Sequence, residues 1–230
     1  MTGPADLIAG FHRFRQEHFG AADALYKQLV QDGQTPKILM VACCDSRVDP
    51  ALVMDCAPGD LFVIRNVANL IPPAEDSDHG RHGTSAALEY GVRILGVEHI
   101  IVLGHAHCGG IRALLAGNGV HPEDTSYVSS WMRVAEEARQ IVLHQHPQQN
   151  EAERERACEQ QAILCSLQNL MTFSWVREGV AAGTLALHGW YFDIEHGQLL
   201  QYDEATVRVR CRNTSHAVPA CRLLHPRAPN

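Results

Sequence analysis

The sequence predicts an α/β fold: a central, mostly parallel β-sheet flanked by helices, with an N-terminal helical arm. Three observations carry this expectation. Short apolar runs bounded by turn residues, Lys37–Cys43, Leu61–Arg65 and Glu98–Leu103, read as buried strands. Their order with the helical stretches between and after them (strand, strand, helix, strand, helix) suits right-handed crossovers in a parallel sheet. At 230 residues, the chain can bury one sizeable α/β core and carry a helical appendage.

The elements follow in order. Asp6 to Gln31 has helical periodicity, with Leu7, Ile8, Phe11, Phe14 and Phe19 near one spacing, a break at Gly20, and Leu25, Leu29 and Val30 on one side of a second short helix. Gly33 and Pro36 stop it. This arm, residues 1–33, is too small to fold alone and must pack on its own core or on a partner subunit. Asp49-Pro50 starts a short helical turn, and Pro58-Gly59-Asp60 is a turn. Asn66 to His82, with Pro72-Pro73 and an acidic run, reads as a polar surface loop. Helices are expected over Gly83–Leu95, Ile111–Ala116 and Ser129–His144, the last two stopped by Gly117-Asn118-Gly119 and Pro147. Glu151–Glu178 reads as one long helix capped by Gly179. Thr184–Phe192 and Leu199–Tyr202 read as late strands joined through His196-Gly197. Without repeats or linkers, residues 34–211 are taken as one α/β domain and 212–230 as a polar, Pro-rich tail.

Composition excludes several function classes. A formal net charge of −7 argues against a nucleic-acid surface, which needs clustered Lys and Arg. No apolar run reaches the ~20 residues that span a bilayer. Asp6, His12, Arg13, Arg15 and Glu17 interrupt any signal-peptide pattern, so a cytoplasmic location is expected. The eight cysteines lack the spacing of a small disulfide scaffold, which favours a reducing compartment with some thiols as ligands.

Two strand ends carry the chemistry. The first strand runs into Ala42-Cys43-Cys44-Asp45-Ser46-Arg47, and the third into Gly104-His105-Ala106-His107-Cys108-Gly109-Gly110. Ligand sites in open α/β sheets form outside the carboxyl ends of strands. Two thiolates and an imidazole from these ends would suit a tetrahedral zinc with three protein ligands and a fourth place for water. A closed structural site is the alternative, but structural zinc usually shows two close ligand pairs, and only one is present here. Cys43 competes with Cys44, and His105 with His107, for the ligand roles. Neighbouring side chains on an extended segment point opposite ways, so one of each is a bystander, and spacing does not choose. Asp45 and Arg47, two residues apart, can pair beside the metal; a paired Asp stays ionised and acceptor-only.

These segments, with Phe62-Val63-Ile64-Arg65-Asn66-Val67-Ala68-Asn69 between them, resemble the β-class carbonic anhydrases over about Gln34 to Asp203. The resemblance implies one Zn2+ per chain on Cys43, His105 and Cys108, and a catalytic dyad of Asp45 and Arg47, with Asp45 a possible fourth ligand in a closed state. Cys44 and His107 depart from the family pattern. A bicarbonate pocket found in one subtype needs a tryptophan and a tyrosine where Met40 and Phe192 stand here, with Tyr191 adjacent to the second; only its arginine, Arg65, remains. The plant-type pocket is better matched, by Gln34, Phe62, Val67 and Tyr90, with Gly109 beside the ligands. In the family that pocket is assembled at a dimer interface embraced by the N-terminal helices, which implies a homodimer or a higher homo-oligomer. The implied reaction is reversible hydration of carbon dioxide to bicarbonate and a proton, with zinc-bound hydroxide as nucleophile. Tyr90, His82 and His107 are possible proton relays. Alternatives are a carbonyl sulfide or carbon disulfide hydrolase on the same scaffold, or a non-catalytic zinc or thiol-sensing protein.

Overall fold

The computed structural model describes residues 3–19, 25–74, 82–117, 126–145 and 147–202. The chain divides between Thr35 and Pro36 into two units. The first holds two helices, α1 (Pro4–His18) and α2 (Leu25–Asp32), and neither buries a residue. Their aromatic rings contact one another: Phe14 meets Tyr26 edge-on at 5.5 Å, and Phe19 stacks on Tyr26 at 4.9 Å. Leu7, Ile8, Phe11 and Val30 remain exposed. The expected break at Gly20 lies outside the described residues.

In the second unit, five strands form one sheet: β1 (Ile38–Cys43), β2 (Leu61–Asn66), β3 (His99–His105), β4 (Ala186–Asp193) and β5 (Gln198–Gln201). Their order is β2-β1-β3-β4-β5, with the first four parallel and β5 antiparallel to β4. The connections contain α3 (Pro50–Val53), α4 (Gly83–Glu89), α5 (Gly109–Leu115), α6 (Tyr127–Met132), α7 (Glu136–Gln145), α8 (Glu151–Leu170) and α9 (Ser174–Ala182). Alternation along the strands sends Leu39, Val41, Ile100, Val102, Leu187 and Tyr191 into the larger core, with Ile163, Leu164, Leu167 and Leu170 of α8. Met40, Ala42, Ile101 and Leu103 face the other way, with Trp190 and Phe192.

Two glycines let α8 lie close on the sheet. A Cβ on Gly104 would stand 2.7 Å from Ile163, and one on Gly189 would stand 2.9 Å from Leu167 and 3.0 Å from Ile163. This close seat brings the N-terminal half of α8 to the carboxyl ends of the strands.

Two expectations are corrected. The stretch Glu151–Glu178 is two helices, broken at Met171–Phe173, and the glycine in left-handed conformation that ends the second is Gly183, not Gly179. The break has a tertiary cause. The Thr172 hydroxyl donates to the Asn169 carbonyl at 2.6 Å and accepts the Ala74 N–H at 2.7 Å, while Asn169 Nδ2 donates to the Ile71 carbonyl at 2.8 Å. The start of the supposed surface loop is buried: Ala68, Asn69, Leu70 and Ile71 are at most 3% exposed. The Asn66 amide holds this segment by bonding both the Leu70 N–H (2.9 Å) and the Leu70 carbonyl (2.8 Å). Residues 75–81 and the tail from 203 lie outside the described residues. Among the described residues, no helix is long and apolar enough to cross a membrane.

Candidate metal centre

Adjacent parallel strands β1 and β3 end in Cys43 and His105. The chain then reverses through His107, whose φ of +57° lies in the left-handed region, and Cys108 caps the N-terminus of α5. The ligand atoms of Cys43, His105 and Cys108 all lie within 4.8 Å of one another. All three residues are buried, at 5%, 1% and 2% exposure. His105 Nδ1 lies 2.9 Å from the Ala106 carbonyl oxygen, which fixes the proton there and leaves Nε2 as a lone-pair donor. That Nε2 is buried without a hydrogen-bond partner. A buried, unpartnered imidazole nitrogen beside two thiols fits zinc, whose preferred donors are these.

The two sulfurs behave as one proton-sharing pair. Contact with Cys108 and His105 pulls the Cys43 thiol well below its ordinary value, against the opposing effect of burial. The thiolate this creates, together with burial, pushes Cys108 up, partly countered by the backbone N–H groups of Ile111 and Gly110. A metal ion that displaced the shared proton would meet two thiolates.

Asp45 stands beside the trio, its Oδ2 4.0 Å from His105 Nε2. Its Oδ1 accepts the Arg47 backbone N–H and Nε–H, each at 2.9 Å, and its Oδ2 accepts from Arg47 Nη2 at 2.6 Å. This grip holds the carboxyl below the usual carboxylate range. Arg47 Nη2 also donates to the His107 carbonyl at 2.9 Å, tying the two strand-end loops together. Arg65 braces the first loop from below: Nε donates to the Cys43 carbonyl (3.0 Å), Nη2 to the Asp45 carbonyl (2.8 Å), and Nη1 to Asp49 (2.9 Å). Arg65 is so engaged, and Met40 lies in an apolar cluster against which Phe192 packs.

The competing ligands are separated. Cys44 is exposed and lines a cavity of about 570 Å³ with Val67, His82, Thr84 and Trp131. His107 points outward to Glu195 at 3.3 Å. Val67 lies against the Cys108–Gly110 turn, since a Cβ on Gly110 would meet it at 2.9 Å, and Gly109 follows Cys108 directly. Phe62 and Tyr90 stack on each other at 5.9 Å, and Phe62 is not at this end of its strand. Phe62 pairs with Leu39, four residues before Cys43, or about 13 Å along the strand. Gln34 is exposed and belongs to the N-terminal unit.

One residue at the site was not singled out from the sequence. Glu159 of α8 is 3% exposed. Its Oε1 accepts the Cys108 N–H at 2.8 Å and its Oε2 accepts the Tyr191 hydroxyl at 2.7 Å. The sequence signal was available: Glu159 is in helical phase with Ala162, Ile163, Ser166 and Leu170, so a carboxylate interrupts a buried stripe. A second ligand-capable group, Asp193, Glu195 and His196, is already saturated at its buried member. Asp193 Oδ2 meets Arg156 at 2.8 Å and His196 at 3.1 Å, and its Oδ1 accepts the backbone N–H groups of Glu195 and His196.

Comparison with known proteins agrees with this geometry. The family model described as carbonic anhydrase matches residues 38–199. A carbonic anhydrase of Synechocystis sp. is 39% identical over 86% of this chain and 70% of its own length. Beta carbonic anhydrase 3 of Arabidopsis thaliana is 35% identical over 83% of this chain and 73% of its own length. The solved structure of the β-carbonic anhydrase CcaA superposes with a TM-score of 0.82 at 34% identity, covering 97% of this chain and 92% of that one. With a family match across most of the chain and β-class enzymes among the relatives and solved structures it matches, this chain belongs to the carbonic anhydrase family, in its β class.

Proposed function

We propose that this protein catalyses the zinc-dependent, reversible hydration of carbon dioxide to bicarbonate and a proton. The observation that carries the reading is the buried Cys43–His105–Cys108 trio with the Asp45–Arg47 pair at its side. Zinc held by this trio would lower the pKa of a water molecule from about 15.7 toward neutrality, and so supply a nucleophile near physiological pH. Two thiolates give the ion more electron density than three imidazoles would, so activity should favour alkaline pH. Asp45, ionised and acceptor-only, takes a hydrogen bond from the attacking oxygen and turns its lone pair toward the substrate carbon. Arg47 keeps Asp45 in place. Because both Asp45 oxygens are committed to Arg47, the arrangement supports an open site rather than one closed by Asp45 as a fourth ligand.

The test is oxygen-isotope exchange between carbon dioxide and water, with zinc quantified on the same sample. About one zinc per chain with exchange is expected; one zinc without exchange between about pH 7 and 9 would overturn the reading. Hydrolysis of carbonyl sulfide or carbon disulfide in place of exchange would reassign the substrate.

We also read the chain as a homodimer or a multiple of one. Phe62, which the family resemblance assigns to an apolar wall for the substrate along with Tyr90, Val67 and Gln34, pairs with Leu39, four residues before Cys43, and its ring stacks on Tyr90; a wall built from them would serve the metal centre of a second chain. The exposed apolar residues of α1 and α2 suit the same partner. Light scattering should give at least twice the 25.4 kDa chain mass, and a monomer at working concentration would exclude this assembly.

A further inference from the structure

We propose that Glu159 is a positioning residue for the Cys108 limb of the zinc centre, an inference that rests on the zinc-enzyme reading above. Cys108 has the least secure backbone of the three ligands. Cys43 and His105 are the last residues of paired strands, whereas Cys108 lies between His107, held at φ +57°, and two glycines. As the cap residue of α5, its N–H has no place in that helix's own hydrogen-bond ladder. At 2% exposure, water cannot serve it. Glu159 supplies the acceptor, across 51 residues of sequence, at 2.8 Å.

The carboxylate is itself held. Its second oxygen accepts the hydroxyl of Tyr191, which is fully buried on β4. Arg156, three residues earlier on α8, lies 5.6 Å above the Tyr191 ring and is paired with Asp193 at 2.8 Å, so it fixes the tyrosine rather than neutralising Glu159 directly. A buried carboxylate that only filled space would be replaced to advantage by an apolar side chain. Here it has one polar task toward the site: to anchor the Cys108 backbone and thereby the direction of its sulfur. Glu159 does not touch the proposed substrate, so it acts through the ligand. Partners outside the ligand shell typically change metal affinity or activity by about 10- to 100-fold when removed.

Two substitutions separate reach from charge. Glu159→Asp keeps the charge but withdraws the acceptor by one methylene from the Cys108 N–H. Glu159→Gln keeps the reach and one acceptor oxygen but removes the charge. Zinc affinity of the full chain, measured by competition with a chromophoric chelator, should fall about 10- to 100-fold in Glu159→Asp and stay close to wild type in Glu159→Gln. Wild-type affinity in Glu159→Asp, or an equal loss in both variants, would overturn the proposal. Because the readout is zinc affinity, a wild type that binds zinc but does not hydrate carbon dioxide would sink the reaction assignment and leave this comparison decisive. A wild type that binds no zinc would sink both.

Discussion

His105→Ala should remove zinc from the protein and lower carbon dioxide hydration by on the order of 10³-fold or more, since the Lewis-acid contribution is several kcal/mol and each 1.36 kcal/mol is about tenfold. Three protein ligands leave no spare: with His105 gone, two thiols remain, and no other candidate ligand nearby is placed to replace it among the described residues. Cys44 is exposed beyond the trio, His107 is turned outward to Glu195, and both oxygens of Asp45 are engaged by Arg47. The substitution also leaves a polar-lined gap at a 1% exposed position, so circular dichroism must show that the fold persists. Cys44→Ser supplies the contrast and should retain zinc. Metal analysis by mass spectrometry and isotope-exchange rates on both variants check the pair. His105→Ala with full zinc and wild-type exchange would remove the trio from the mechanism.

The strands and the ligand trio were legible because each rests on local pattern. Ile38–Val41 and Ile100–Leu103 are apolar runs of strand length, and soft ligands follow both. Spacing did not choose between Cys43 and Cys44 or between His105 and His107; the family resemblance did, and the structure brings Cys43, His105 and Cys108 together while Cys44 is exposed and His107, at φ +57°, meets Glu195. The missed features depend on contacts across long stretches of chain. Thr172 breaks a helix-forming sequence because its hydroxyl is also an acceptor for Ala74, 98 residues earlier. Leu70 and Ile71, two apolar residues in a polar stretch, are buried because Asn66 and Asn169 satisfy the backbone around them. Phe62 and Tyr90, assigned with Gln34 and Val67 to one substrate pocket, stack on each other, and the separation of Phe62 from the metal trio follows from strand register, which no local pattern reveals. Glu159 is the instructive case. Its phase along α8 marks it as buried, yet its partner is a backbone N–H that carries no sequence signature.

Asp45→Asn should retain zinc and lower kcat by about 10²- to 10⁴-fold, the range for losing a positioned proton acceptor. The side chain keeps its size and one acceptor oxygen. Its amide –NH2, however, now faces Arg47 Nη2, donor against donor, where an oxygen stood at 2.6 Å. Arg47 thus loses part of its grip, and the attacking oxygen loses its acceptor. The pH profile separates this role from a titrating one. Arg47 lowers the folded-state pKa of Asp45, so the stabilising pair is fully formed above the ordinary Asp value of about 3.9 and is lost only as pH falls through the lower folded value. Asp45 therefore remains ionised throughout the neutral and alkaline range. Its loss should lower the rate by a similar factor across that range without moving the midpoint of the profile. A shifted midpoint with an unchanged plateau would make Asp45 an electrostatic neighbour of the titrating group, not an acceptor. Unchanged kcat with zinc retained would leave the Asp45–Arg47 pair a structural clamp between the two strand-end loops, a role that its bond to the His107 carbonyl would by itself explain.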